Sequence, residues 1–296
     1  MNSMAILLAL IVGVWNSNWF PSGRAEHRAE PEVEAKTIAV AAEMLKKGLE
    51  ELDPTHTEDV ILCLNEMRGP RVVSNLVAAI GWPRLESAVV TGYRRRDRFD
   101  QQQDAIATTL PVEAAHWSVY KHRRDCWPPR GYAFLAVSNL HVYCTHLKSE
   151  YGATSEELRE ANREKRAYSI EQLITCEKPP RKKDAPPPPA VIIAGDMNAD
   201  FSKAQFKKEK FFKRLDAAGF SNPLAALPAE RRDTHPSKRW GANTLDYIFL
   251  RGLGEPTRVF TAPLSEASDH CALFYRIDFP AKEKEDETKS LGGDQS

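Results

Sequence analysis

Two periods of apolar spacing succeed one another along the chain, and each change of period marks a new element. "AILLALIVGVW" (5–15) is a continuous apolar run that leads straight into Asn16. Its length suits either the core of a targeting peptide or a strand buried on both faces. No Lys or Arg precedes it and no small-x-small cleavage pattern follows it, so it reads as a strand. Residues 33–52 then repeat apolar positions at the spacing of an amphipathic helix. "DVILCLNEMRG" is a buried strand ending in polar residues, "RVVSNLVAAI" a second short helix, and "SAVVTGY", "DAIATTL" and "HWSVYKH" strands between charged turns. "YAFLAVSNLHVYCTHLKS" is a hairpin turning at Ser138-Asn139. A long helix from about 154 to 175 opens on Ser/Thr with Glu nearby, as a capping box would.

The second half continues in the same way. "EKPPRKKDAPPPPA" is a Pro-rich basic linker, "VIIAGDMNAD" a buried strand entering a polar loop, and a helix follows over roughly 203–218. "TLDYIFL" and "HCALFYRI" close the pattern as strands. No internal repeat or second boundary interrupts it, so residues 1–280 are expected to form one domain, with 281–296 as a disordered charged tail. Strands in hairpins mixed with layered helices predict an α/β fold of two sheets packed face to face with helices outside.

Composition narrows this little. Hydrophobic residues make up 42% and charged residues 28%, while 41 Lys and Arg balance 41 Asp and Glu, so net charge asks for no polyanionic partner. Five cysteines without a CxxC pair argue against a disulfide framework or zinc knuckle, and Cys63, Cys144 and Cys271 sit in apolar runs as buried thiols would. No run reaches the roughly 18 apolar residues of a membrane span, so no transmembrane segment is expected.

The chemistry collects where apolar strands deliver polar groups, expected at their C-terminal ends: Asn16, Glu66, His146, Asp196 with Asn198, Asp246, and Asp269 with His270. Any one of these fits an ordinary turn or strand end. As a set they offer hard oxygen donors suited to Mg²⁺, Mn²⁺ or Ca²⁺, with two histidines for charge stabilisation and proton transfer around a phosphate. There is no Walker loop, GxSxG elbow or HExxH. Metal-assisted hydrolysis of a phosphoester is the chemistry this inventory best supports.

In order, "VWNSNWF", "ILCLNEMRG", "VYCTHLKS", "IIAGDMNAD", "TLDYIFL" and "SDHCALF" span residues 12–276 and resemble the endonuclease/exonuclease/phosphatase superfamily, which includes DNase I-like nucleases. The resemblance implies a four-layered α/β sandwich, two mixed β-sheets face to face with helices outside. It also implies a Mg²⁺-dependent phosphodiesterase, with Mn²⁺ or Ca²⁺ able to substitute. Asn16 and Glu66 match the metal-site pair, Glu66 as principal ligand, and Asp269 matches an acidic residue that binds or supports a metal. His146 matches a histidine that hydrogen-bonds the scissile phosphate, Asp196 the group that orients or deprotonates water, and Asn198 the residue that holds a phosphate oxygen. His270 matches the final histidine, and Asp246 resembles its carboxylate partner. Members of the family often orient the first histidine with an acidic residue on an earlier strand; here Asp100, Asp104 or a Gln could fill that role for His146.

The fold also hosts sphingomyelinases, inositol-polyphosphate phosphatases and RNA deadenylases, so resemblance leaves the substrate open. The Trp-Cys-Asp-Arg stretch of the inositol phosphatases is replaced by "HPSKRWGANTLDYIF". A DNase I-like nuclease acting as a monomer on nucleic acid is the first expectation. A sphingomyelinase-like lipid or small-molecule phosphodiesterase is the alternative, and a catalytically dead binding module is disfavoured because every motif is present. Arg163 and Arg166, on the helix after "THLKS", could reach a phosphate or form a basic face paired with Glu. Basic clusters at 94–98, 121–124, 181–183 and 207–214 could bind a phosphate backbone or be scattered surface charge, and Trp127 in a Pro-rich loop could stack, touch a membrane or simply pack within its loop.

Overall fold

A computed structural model describes residues 9–18, 20, 30–92, 102–121, 130–177, 188–237 and 241–279. The opening apolar run is strand β1 (Ala9–Asn16), buried throughout. It pairs in parallel with β2 (Asp59–Met67) and antiparallel with β11 (Leu273–Asp278). Those pairings place β1 in the interior of a sheet ordered β10-β11-β1-β2-β4-β3, with β3 at Glu86–Val90, β4 at Gln103–Thr108 and β10 at Arg258–Thr261. A second sheet, ordered β5-β6-β7-β8-β9, contains Ala114–Val119, Gly131–Val137, Leu140–Thr145, Ala190–Asp196 and Asp246–Arg251. Both sheets are mixed, since β7 and β8 run parallel while the other pairs of the second sheet are antiparallel.

Helices cover the outer faces. α1 (Pro31–Leu52) starts with proline at a position whose N–H would have no partner, and buries Ile38, Ala41, Leu45, Leu49 and Leu52 along one stripe. α2 (Pro70–Ile80) buries Val72, Val73, Leu76 and Ile80, and ends at Gly81 in the left-handed conformation. Together they close a core over the first sheet that includes Ile11, Trp15, Leu62, Leu64 and Phe274. α3 (Glu156–Cys176) is capped by Ser155, whose Oγ accepts from the Leu158 amide at 3.3 Å, and packs with α4 (Phe211–Ala217) beside the second sheet. The result is the expected four-layered sandwich.

Several details differ from expectation. Only 211–217 of the expected 203–218 helix is α-helical; it is preceded by a 3₁₀ turn at Ala204–Phe206 and by Glu209, which turns inward to meet Arg166. β10 carries too short an apolar run to stand out in the sequence. Asp246 opens its strand, and Asp269 and His270 precede β11, so these three do not lie at strand C-terminal ends. Their strands run antiparallel to β8 and β1, which brings their starts to the edge where β1, β2 and β8 finish. Residues 178–187 of the basic linker, the clusters at 94–98 and 181–183, the 122–124 part of a third, Trp127 and the tail lie outside the described residues. Among the described residues no helix is long and apolar enough to cross a membrane. Cys63, Cys144 and Cys271 are free and buried.

At the seam between β7 and β8, Gly195 has φ +146°, and a Cβ there would lie 1.7 Å from the Thr145 carbonyl oxygen. Both the backbone conformation and the space therefore demand glycine immediately before Asp196. Gly195→Ala should lower stability by about 3 kcal/mol or more. Urea unfolding checks this, and an unchanged midpoint would contradict the close approach.

Candidate active site

Strand alternation builds the site. In β1, Leu10, Val12 and Val14 face the core between the sheets, and the next residue on that side is Asn16. In the same way β2 runs Ile61, Cys63, Asn65, and β7 runs Val142, Cys144, then His146 just beyond its end. β8 runs Ile192, Ala194, Asp196, and β9 starts at Asp246 before Ile248, with Asp196 and Asp246 directly opposite in the ladder. Each inward-facing row is apolar until the shared edge and polar there.

Glu66 breaks the alternation. By strict period it would join Leu62 and Leu64 on the helix-covered face. The pairing of β2 with β4 shifts between Leu64 and Met67, so one extra residue is accommodated there, and Glu66 takes φ +59°. Met67 thereby returns to the helix-side core, and Glu66 is freed to turn toward His146. Asn198 also has positive φ, +52°. Left-handed backbone at non-glycine residues costs on the order of 1–3 kcal/mol, and such residues concentrate at functional sites.

Hydrogen bonds lock the cluster across the two sheets. Asn16 Nδ2 donates to Asp196 Oδ2 at 2.7 Å, and the Asn198 amide donates to Asp196 Oδ1 at 2.7 Å. Asn198 Nδ2 reaches the Leu147 carbonyl at 3.1 Å. His270 Nδ1 lies 2.7 Å from Asp246 Oδ2. His146 Nε2 stands 3.6 Å from Glu66 Oε1 and 3.5 Å from Asp196 Oδ2. Asn16, Glu66, His146, Asp196, Asp246 and His270 are all buried, while Asp269 is half exposed at the rim, near His235 and His270.

Electrostatics separates the two histidines. Burial opposes charge on His270, but Asp246, with Asp196 and Asp269 beyond it, holds its pKa up at about 10. Burial, reinforced by Arg130, His270 and Lys148, drives His146 well below the ordinary imidazole value. His146 is therefore neutral near pH 7, and its approaches to Glu66 and Asp196 are not ion pairs. Burial and the facing Asp246 push the Asp196 carboxyl up to about 7, against the pull of His270 and its hydrogen bonds. Burial likewise raises Glu66, partly offset by Arg130 and His270.

Several participants had no signal in the sequence reading. Asn65 Nδ2 donates to Asp104 Oδ1 at 2.7 Å, while its Oδ1 accepts from the Asp196 amide at 3.1 Å. Thr234 Oγ1 accepts from the amides of Leu245 and Asp246, both at 3.0 Å, and Ser268 Oγ donates to the Asn16 carbonyl at 2.7 Å. His235 packs against His270 with ring centres 4.6 Å apart and the rings tilted by 57°. Arg130 Nη1 lies 2.9 Å from His146 Nδ1. Asn65 and Ser268 lie inside motifs noted above, but only the fold shows what they bind.

Arg166 points into the protein, whereas Arg163 is held along α3 by acids of its own helix. The Arg166 guanidinium is fully buried, paired with Glu209, 2.9 Å from Glu150 Oε1 and 2.6 Å from the Lys148 carbonyl. Arg163 bonds Glu160 at 2.7 Å and Glu156 at 3.0 Å, so both side chains are engaged by carboxylates. A recess of about 750 Å³ starts at Asn198 and His235 and passes Arg163 toward Arg159, Lys208 and the exposed Tyr151.

Among the described residues, two groups have donor atoms within 4.8 Å of one another and could hold a metal ion: Asp196–Asp246–His270 and His235–Asp269–His270. Glu66 belongs to neither. It presents its carboxylate instead beside Asn16 and His146.

Residues 13–270 match the Endonuclease/Exonuclease/phosphatase family, and the chain belongs to it, a family of phosphoester hydrolases. No curated protein matches the sequence. An endonuclease/exonuclease/phosphatase family protein from Leptotrichia buccalis has the same fold, with a TM-score of 0.62 at 12% identity over 91% of this chain and all of that one. The 3′ phosphatase NExo from Neisseria, bound to a product DNA hairpin, is similar with a TM-score of 0.60 at 14% identity over 91% and 99%. Humanised D. rerio TDP2 gives 0.57 at 16% over 92% and 99%.

Replacing Arg166 by Met should destabilise the protein by about 3–5 kcal/mol, because Glu209 is left buried without its partner. Thermal unfolding measures the loss. If Arg166 is purely structural, the KM of the fraction that remains folded stays unchanged.

Proposed function

We propose that the protein is a divalent-metal-dependent phosphodiesterase that hydrolyses nucleic acid by in-line attack of water, with Asp196 as base. The observation that carries this reading is the arrangement of three buried side chains: Asp196 raised to about 7 and fixed through both oxygens, directly across the ladder from the Asp246–His270 pair. A carboxylate poised near neutrality suits proton abstraction from water, and a cationic His270 suits the charge that develops on a five-coordinate phosphorus. In this reading Asn198, at the mouth of the recess, holds a non-bridging phosphate oxygen with the amide hydrogen that its bond to the Leu147 carbonyl leaves free, and the neutral His146 offers another hydrogen bond.

The donor set fits a hard divalent cation. Glu66 is a carboxylate buried at the cost of a raised pKa beside the side-chain amide of Asn16, whose Oδ1 accepts from the Asn18 amide at 3.0 Å, and Asp246 Oδ1 is buried with no hydrogen-bond partner. Glu66 and Asn16 would hold Mg²⁺, with Asp269 supporting it from the rim. The ion would neutralise phosphate charge and stabilise the leaving oxygen. Chain residues do the remaining work of orienting the phosphate and activating water. The 750 Å³ recess, with Tyr151 exposed on its margin, supports a substrate that extends beyond the phosphate, as a polynucleotide does.

A panel of plasmid, single-stranded DNA, RNA, sphingomyelin, inositol phosphates and bis-p-nitrophenyl phosphate, assayed with Mg²⁺, Mn²⁺ or EDTA, tests the reading. Nucleic acid cleavage is expected with metal and not with EDTA. Asp196→Asn and His270→Ala should each lower kcat by about 10²–10³. Cleavage that survives EDTA, or a fully active Asp196→Asn protein, overturns the mechanism; sphingomyelin as the preferred substrate overturns the substrate class.

A further inference from the structure

Arg130 directly precedes β6, buried among the site residues, in a setting fixed by the fold. Its carbonyl accepts from the Tyr120 amide at 2.9 Å, and the next carbonyl, Gly131, accepts from Thr145 Oγ1 at 2.8 Å. The antiparallel β6–β7 register opposes Tyr132 to Thr145, so one step further Gly131 comes opposite His146 and Arg130 follows directly beside that pair. The guanidinium Nη1 then lies 2.9 Å from His146 Nδ1.

That contact has only one chemical reading. A guanidinium carries donors only and stays protonated in proteins. Nδ1 must therefore be the acceptor, which leaves the ring proton on Nε2. Nε2 stands between Glu66 and Asp196, at 3.6 and 3.5 Å. We infer that Arg130 is the positioning residue of His146, fixing its ring as the neutral Nε2–H tautomer and aiming that N–H where a phosphate oxygen binds. The destination of the N–H rests on the phosphodiesterase reading, whereas the tautomer rests on the hydrogen bond alone.

An acidic orienter would act in the opposite sense, accepting from Nδ1–H and favouring a charged ring. Of the acidic candidates for this part, Asp100 lies outside the described residues, and Asp104 directs Oδ1 to the Asn65 amide. With arginine in the position, His146 is a fixed hydrogen-bond donor and not a proton carrier, so the charged role falls to His270 with Asp246. The same guanidinium also places positive charge near Glu66.

The test is ¹⁵N NMR of histidine-labelled, metal-free protein at neutral pH, with the His146 signal assigned by its loss in His146→Gln. A protonated Nε2 beside an unprotonated Nδ1 is expected, and a proton on Nδ1 overturns the inference. In kinetics, Arg130→Met should lower kcat by about 10–10² with KM within about twofold, and Arg130→Lys, which keeps one N–H donor, should recover part of the loss. His146→Gln should retain at least about tenfold more kcat than His146→Ala, because its amide N–H stands near the place of Nε2–H. A glutamine variant no better than alanine, or an Arg130→Met protein as fast as wild type, overturns it. Should Arg130→Met fail to fold, the wild-type NMR and the His146 pair still decide. The expected ring state in a protein that cleaves no diester supports the role of Arg130 and refutes only the substrate reading.

Discussion

The hydrogen bond from Asn16 to Asp196 joins the last inward-facing residue of one sheet to that of the other. Much of the site depends on this seam. A buried amide or carboxylate left without a partner costs about 1–3 kcal/mol, so the rows of side chains meeting at this edge must satisfy one another. Asn65 reinforces the bridge, linking Asp104 on its own sheet to the Asp196 backbone on the other. A slip of one residue in either sheet would turn the apolar rows outward and these polar groups away from their partners. Core packing and site geometry are thus specified by the same register.

The seam gathers more negative charge than its own groups balance. Glu66 and Asp196 both have raised pKa values, and burial is the first cause for each. His270 and Arg130 provide positive charge, yet they impose opposite states on the two histidines: His270 is held cationic by Asp246, and His146 is held neutral by burial and its cationic neighbours. Left-handed backbone at Glu66 and Asn198 adds local strain. Crowded carboxylates with shifted pKa values and strained backbone cluster where proteins carry out chemistry.

Local pattern was a good guide wherever one period held over a whole element. β1, β2 and β8 are apolar runs ending in Asn16, Asn65-Glu66 and Asp196, and both the strands and their terminal chemistry can be read from the chain. The pattern failed where distant partners decide. Arg163 pairs with Glu160 and Glu156 of its own helix, as a basic face with Glu partners would, but Arg166 is turned inward and engaged by Glu209 from beyond the helix. The same contact marks the place where the expected 203–218 helix gives way to a shorter one. At Glu66, a single extra residue in the ladder changes which face the side chain occupies, and nothing in "CLNEMRG" announces that shift.

The sequence by itself determined most of the elements, the alternation of faces where one period held, and the presence of oxygen donors and two histidines next to strands, because periodicity and side-chain chemistry are local properties. Only the tertiary structure decided that the starts of β9 and β11 share an edge with the ends of β1, β2 and β8, because strand direction is set by pairing. It also decided that Nδ1 of His146 meets an arginine and not a carboxylate, and that Asp246 holds His270 charged. Protonation depends on burial and on charges far apart in the chain, and those distances exist only in the folded molecule.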